Sequence, residues 1–215
     1  MTDPRGPDLW RAARDGKHQE VKHLLDLGVT PDTYSEKHDE DSTALQEASF
    51  HGHVETVRVL LHHKADIHNK TSRGKTALFL AAEGGHIDVV QTLLDSDSPL
   101  EACTNKGSTS LYIASQHGHV GVVNVLLAHN ADVNTTYEIG ATPLYVASGR
   151  GHTDVVNILL THNADVDAAS DEGATPLYMA SQEGHIDVVN ILLTHKAEVN
   201  HTCKDGLTAL FITAQ

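Results

Sequence analysis

The sequence predicts an all-α solenoid, a row of stacked helix-turn-helix units without one central core. Three observations predict it. Five glycines, Gly74, Gly107, Gly140, Gly173 and Gly206, recur every 33 residues, and Gly52, Gly85, Gly118, Gly151 and Gly184 keep the same interval; a fixed period of that length marks a solenoid of one repeated unit. Between the two series the units read alike: Gly-Ala-Thr-Pro-Leu-Tyr-Val-Ala-Ser-Gly-Arg-Gly-His-Thr-Asp-Val-Val-Asn-Ile-Leu-Leu from Gly140 to Leu160 returns from Gly173 to Leu193 with four changes. Aromatic residues make up only 4% of the chain, as suits thin helix pairs packed through Ala, Leu and Val.

The elements follow in order. Residues 1–37 hold an N-terminal capping unit and a linker, with Leu9 to Gly16 matching a first helix and Val21 to Leu25 a second. Full repeats occupy 38–70, 71–103, 104–136, 137–169 and 170–202, and 203–215 supplies the loop and first helix of another. Gly16 to Gly52 spans 36 residues, so the extra length falls in the charged stretch 33–41. Thr142-Pro143 and Thr175-Pro176 place an N-cap hydroxyl before a proline at the first helical position, where the missing N–H costs nothing. Thr43, Thr76, Thr109 and Thr208 keep the cap, with Ala44, Ala77, Ser110 and Ala209 in place of proline. Each first helix ends at the second glycine series, which can turn left-handed. The second helix opens with Glu55, Asp88, Asp154 or Asp187 in its first turn, at the positive end of the helix dipole. Leu60-Leu61, Leu93-Leu94, Leu126-Leu127, Leu159-Leu160 and Leu192-Leu193 form its apolar stripe. Ala48, Ala81, Ala114, Ala147 and Ala180 let first helices approach closely. Helices of about 8–10 residues are marginal alone, so stability comes from stacking.

This pattern resembles the ankyrin repeat over nearly the whole chain, with many positions in register. The resemblance implies an ankyrin-repeat solenoid with loop or β-hairpin fingers between helix pairs, a non-enzymatic protein that binds a partner protein through a concave face. The matching positions, where the repeats differ most from one another, are Asp39, Glu40, Phe50 and His51, then Ser72, Arg73, Lys75 and Glu83. They continue with Asn105, Lys106, Gln116 and His117, then Glu138, Ile139 and Arg150, and end with Asp171, Glu172, Gln182 and Glu183. The resemblance also implies Asn134 and Asn200 as acceptors of an asparaginyl hydroxylase, each preceded by an acidic residue and valine, with Leu126 and Leu192 eight positions upstream. Two departures stand out. Tyr112, Tyr145 and Tyr178, with Phe79, Phe211 and Gln46, replace the family's usual histidine after Thr-Pro-Leu. Lys64, Asp97, Asn130, Asn163 and Lys196 replace the usual glycine after the second helix; Asn tolerates a left-handed conformation, whereas Lys and Asp adopt it at some cost.

Composition narrows the functional classes. The net charge of −14 argues against a nucleic-acid surface and against an anionic membrane, and favours basic protein segments as partners. No apolar run nears the roughly 18 residues of a membrane span, and Met1 to Pro7 does not read as a signal peptide; the chain reads as cytoplasmic or nuclear, and as a monomer. Cys103 and Cys203 lie in equivalent loops three repeats apart, too far for a disulfide, and are expected to be free thiols. The Asn-x-Thr triplets at Asn69, Asn134 and Asn200 match a glycosylation pattern that needs a secretory route.

The 17 histidines invite a metal reading. Most recur in register instead: His53, His86, His119, His152 and His185 at each Gly-His, and His63, His129, His162 and His195 at the end of the second helix, where a protonated ring suits the dipole. No third or fourth ligand falls at zinc spacing, so no metal and no cofactor is expected. Gly74-Lys75-Thr76 looks like the end of a phosphate loop, but the required earlier glycine is Asn69; the segment reads as the repeat's own turn and cap. No nucleophile-base set points to catalysis. Two competing functions fit as well: an inhibitor masking a basic segment of a partner, and a recruitment arm of a longer enzyme or channel. The latter draws on Gly206 to Gln215, which carries Phe211 and Ile212 on a first helix without a second and so reads as the edge of a longer array.

Overall fold

A computed structural model describes residues 5–34 and 41–209. The chain divides into two units, Met1–Asn105 and Lys106–Gln215, each holding three helix pairs among the described residues. The first contains α1 (Gly6–Arg14), α2 (His18–Asp26), α3 (Ala44–Phe50), α4 (Val54–His62), α5 (Ala77–Glu83) and α6 (Ile87–Leu94). The second contains α7 (Ser110–His117), α8 (Val120–Ala128), α9 (Pro143–Arg150), α10 (Thr153–Thr161), α11 (Pro176–Gln182) and α12 (Ile186–Thr194). Within each unit, first helices stack on first helices and second on second: α1 on α3 on α5 with α2 on α4 on α6, and α7 on α9 on α11 with α8 on α10 on α12. The architecture is an all-α solenoid, as expected.

Threonine sets where each full repeat begins. Thr43, Thr76, Thr109, Thr142 and Thr175 take an extended conformation, and each side chain accepts from the N–H three residues on, meeting an orphan donor of the helix start. In α3 the cap is reciprocal. Gln46 Oε1 accepts from Thr43 N at 2.8 Å, while Gln46 Nε2 donates to the carbonyls of Asn69 and Lys75, at 2.9 and 3.2 Å. Gln46 therefore joins its own helix start to the next finger, at the position where the family usually has histidine.

The turn between the paired helices shows why glycine and histidine recur together. Gly16, Gly52, Gly118 and Gly151 have φ between 71° and 76°. A Cβ on them would also lie 2.5–2.7 Å from the ring of the next repeat's His53, His86, His152 or His185. Each of those rings donates from Nε2 to the carbonyl two residues before the glycine: His53 to Arg14, His86 to Phe50, His152 to Gln116 and His185 to Gly149, at 2.8–3.2 Å. A carbonyl only accepts, so the tautomer follows. The histidine thus caps the C-terminus of the preceding repeat's first helix, where carbonyls lack intrahelical donors.

The second helices end differently. His63, His129, His162 and His195 bond through Nδ1 to the carbonyl four residues back, and Ser96 does the same through Oγ at 2.9 Å. Lys64, Asp97, Asn130, Asn163 and Lys196 all turn left-handed, with φ of 62–67°, at the cost expected of non-glycine residues. The leucine stripe is the core: Leu60, Leu93, Leu126, Leu159 and Leu192 are fully buried, as are Ala48, Ala81, Ala114, Ala147 and Ala180. Cys103 and Cys203 are free thiols.

Of the two expected forms, loop or β-hairpin, the fingers take the loop form. Among the described residues they carry no hairpin strands, only isolated bridges, Tyr34 with Thr43, Tyr137 with Ala141 and Thr202 with Thr208. The turns are too tight for a ladder: in the finger at 71–75, Thr71 N donates to Lys75 O and Gly74 N to Thr71 O. Of the last unit, Phe211 and Ile212 lie outside the described residues.

Candidate functional site

Each finger leads into the threonine-capped N-terminal end of its first helix, and in α5 the Lys75–Glu83 pair reaches from the finger to the helix's C-terminal end. In the first unit, Ser72 and Arg73 are exposed at a tip. Their backbone is held by the next finger: Asn105 donates from N to Arg73 O at 3.0 Å and from Nδ2 to Ser72 O at 2.9 Å. Phe50 is 41% exposed at the end of α3, with the His51 ring edge-on at 5.1 Å. Lys75 and Glu83 pair at 3.0 Å, both largely covered, and the Lys75 ammonium sits 5.8 Å from the Phe79 ring centre. These two residues brace finger against helix as much as they face solvent. Asp39 and Glu40 lie outside the described residues.

The second unit repeats the scheme. Glu138 N donates to Lys106 O at 3.1 Å, Asp171 N to Ile139 O at 2.8 Å, and Lys204 N to Glu172 O at 3.0 Å. One backbone bond thus joins each finger to the next, and the side chains stand outward. Ile139 is 49% exposed. Lys106 Nζ and Glu138 Oε2 are 3.1 Å apart; the contact raises the lysine above its ordinary pKa and lowers the glutamate, whose largest influence is that hydrogen bond. Both are solvated, so the pair is worth little. Glu172 and Lys204 make a looser pair at 3.6 Å. His117, Arg150, Gln182 and Glu183 are exposed at the ends of α7, α9 and α11, and Gln116 is half-buried. The His117 ring stacks on His119, with centroids 5.7 Å apart.

At the base of these fingers the tyrosines form a second layer. Tyr112 packs on Tyr137 with centroids 4.8 Å apart, and burial, then the neighbouring Tyr137, pushes its hydroxyl up to about 12. Burial also raises Tyr145 and Tyr178, the latter beside the Cys203 thiol, itself raised by burial. Tyr112 is buried while Tyr145 and Tyr178 are partly exposed, and all three, with their pKa raised, stay neutral near neutral pH.

Two residues that the sequence reading did not name occupy equivalent positions in the capping unit. Arg14 and Asp15 end α1 as Phe50 and His51 end α3, and α1 packs on α3 as α3 packs on α5. Arg14 lies 5.3 Å over the Trp10 ring and bonds Asp15 at 3.0 Å. With Gly16 aligned to Gly52, Arg14 and Asp15 fall in register with Phe50 and His51.

Asn134 and Asn200 sit elsewhere, on the turn after the second helix, both exposed. Asn134 Oδ1 accepts from Asp165 N at 3.0 Å. Asp32 and Asp167 do the same for Asp66 N and Glu198 N, each at 2.8 Å, so this position links one repeat's turn to the next. Among the described residues no three His, Cys, Asp or Glu side chains gather to hold a metal ion, and no helix is long and apolar enough to cross a membrane.

Comparison with known proteins places this geometry. The family model "Ankyrin repeats (3 copies)" matches three segments, residues 8–71, 63–137 and 131–203. The crystal structure of the human ASB11 ankyrin repeat domain superposes with a TM-score of 0.85 at 28% identity, covering 95% of this chain and 90% of that one. Solved structures match in 644 chains, so likeness of fold singles out no partner. No curated protein sequence matches. Ankyrin repeats generally mediate protein–protein interaction and are generally non-catalytic. With matched segments running from residue 8 to residue 203, the chain belongs to the ankyrin-repeat family.

Proposed function

We propose that this protein is a non-enzymatic scaffold or adaptor that binds a partner protein through the finger side of its repeats. One observation carries the reading: the variable finger-tip residues Arg73, Lys106, Ile139 and Glu172 each accept a backbone hydrogen bond from the next finger while their side chains are exposed. A surface already ordered before binding loses less entropy when a partner docks. Its candidate anchors are Arg73 and Arg150, of a type that concentrates binding energy, together with the exposed aromatic ring of Phe50. The test is affinity capture from cell extract with charge reversal at Arg73, Lys106 and Arg150. These variants should lose most of a captured partner while far-ultraviolet circular dichroism stays unchanged, and Asn124→Asp and Asn190→Asp on the second helices should retain it. Loss with the second-helix variants alone would overturn the site.

A further inference from the structure

Four histidines close second helices, and in each Nδ1 lies 2.9–3.0 Å from the carbonyl four residues back. A carbonyl only accepts, so Nδ1 carries a proton in all four. His63 has a second contact: its Nε2 lies 3.1 Å from Asp26 Oδ1 on α2, and an ionised carboxylate also only accepts. Neutral imidazole offers one N–H and imidazolium two, so only the charged ring can make both bonds. We propose that His63 is a proton-operated clasp between the capping pair and the first full repeat. Protonated, it ties α2 to α4. Neutral, it keeps one bond and turns a lone pair toward the other oxygen, and α2 is released at its C-terminal end.

The surroundings fit this assignment. Lys22 bonds Asp26 Oδ2 at 2.6 Å, and that bond, followed by the one from His63, holds the Asp26 carboxyl below its ordinary range. The acceptor is therefore ionised wherever histidine titrates. On α4 itself the His62 ring stands edge-on with its centroid 5.4 Å from that of His63. Asp95 of α6 faces Arg58 and His62 across the groove between α4 and α6. The His63 side chain is 21% exposed, so protons reach it without unfolding.

Nuclear magnetic resonance of the full chain tests the clasp through the ring N–H signals of His63 and His129 and the amide exchange of α2. At about pH 5.5 the Nε2 proton of His63 should be protected from water while that of His129 exchanges freely. Between about pH 8 and 5.5, α2 amides corrected for intrinsic exchange should gain roughly two- to fivefold protection, the scale of one partly exposed ion pair. His63→Gln should flatten this response while leaving the Lys22–Asp26 pair intact, and Asp26→Ala should abolish the Nε2 protection. A His63 Nε2 proton that exchanges as fast as that of His129, or an α2 response that survives His63→Gln, would overturn the proposal.

Discussion

Each repeat reverses direction twice, and both reversals need a left-handed residue, yet they differ in what they tolerate. The turn between the paired helices is always glycine. The turn after the second helix is Lys64, Asp97, Asn130, Asn163 or Lys196, at nearly the same φ. Dihedral angle alone therefore does not explain the first turn. The difference is the neighbour: at Gly16, Gly52, Gly118 and Gly151 the following repeat lays a histidine ring where a Cβ would go. At these four glycines periodic identity goes with a contact between repeats, whereas the drifting residues of the other turn carry their strain locally.

The largest effect should come from breaking that contact. Gly151 and Gly184 share a φ of 73–74°, but a Cβ at Gly184 meets nothing within 4 Å. Gly184→Ala should cost only the left-handed strain, about 1–2 kcal/mol. Gly151→Ala should cost about 1–3 kcal/mol more, since the ring of His185 must swing away and leave the Gly149 carbonyl without its donor. Urea denaturation of both variants checks this. In a His185→Ala background, Gly151→Ala should fall back toward the Gly184→Ala value; equal costs in the two backgrounds would show that the ring plays no part.

The opposite turn should respond in the other direction. Glycine relieves left-handed strain at Lys64 or Lys196, but it also loosens the unfolded chain, so the net gain should be about 0.5–1 kcal/mol for each. Asn130→Gly should yield less, because asparagine already tolerates the conformation. Thermal unfolding of the single variants ranks them, and destabilisation by Lys64→Gly would contradict the reading that the cost there is local.

Much of this was legible in the sequence for one reason: each residue that repeats has a job that repeats. The threonine caps, the glycine turns and the leucine stripe are local or in register, so five copies of the pattern expose them. What the histidines do was legible in place but not in mechanism. The bond from His53 to Arg14 crosses between repeats, and nothing within one repeat predicts its partner. Whether the fingers are loops or hairpins is left open by the sequence, because the bonds that join one finger to the next, such as Asn105 N to Arg73 O, cross between repeats. In the candidate site, variation between repeats pointed to the surface, but the Lys75–Glu83 brace joins a finger to the far end of its helix and has no period to betray it. Arg14 and Asp15 were legible from the Gly16–Gly52 alignment but were passed over because they belong to the capping unit and not to a full repeat.

The smallest expected effect separates charge from geometry at the linking position after the second helix. Asp32, Asn134 and Asp167 all accept the backbone N–H of the next turn, so the geometry needs an oxygen and not a charge. Asp32 is half-buried, and burial raises its pKa despite the bonds from Asp66 N and Asn69 Nδ2, with the Asp66 carboxylate adding to the rise. A carboxyl raised in the folded state binds its proton more tightly there than in the unfolded chain. Its charge therefore weakens the fold as pH climbs from the unfolded value, about 3.9, through the raised folded one, and the weakening is complete and constant above both. Asp32→Asn keeps Oδ1 in place and removes the charge, as Asn134 does naturally. The variant should be more stable than the parent at pH 7 and equal to it below about pH 4. Denaturant midpoints at the two pH values decide the matter: a loss of stability at pH 7 would mean that the carboxylate's charge, and not only its oxygen, holds the capping unit's turn to the first repeat.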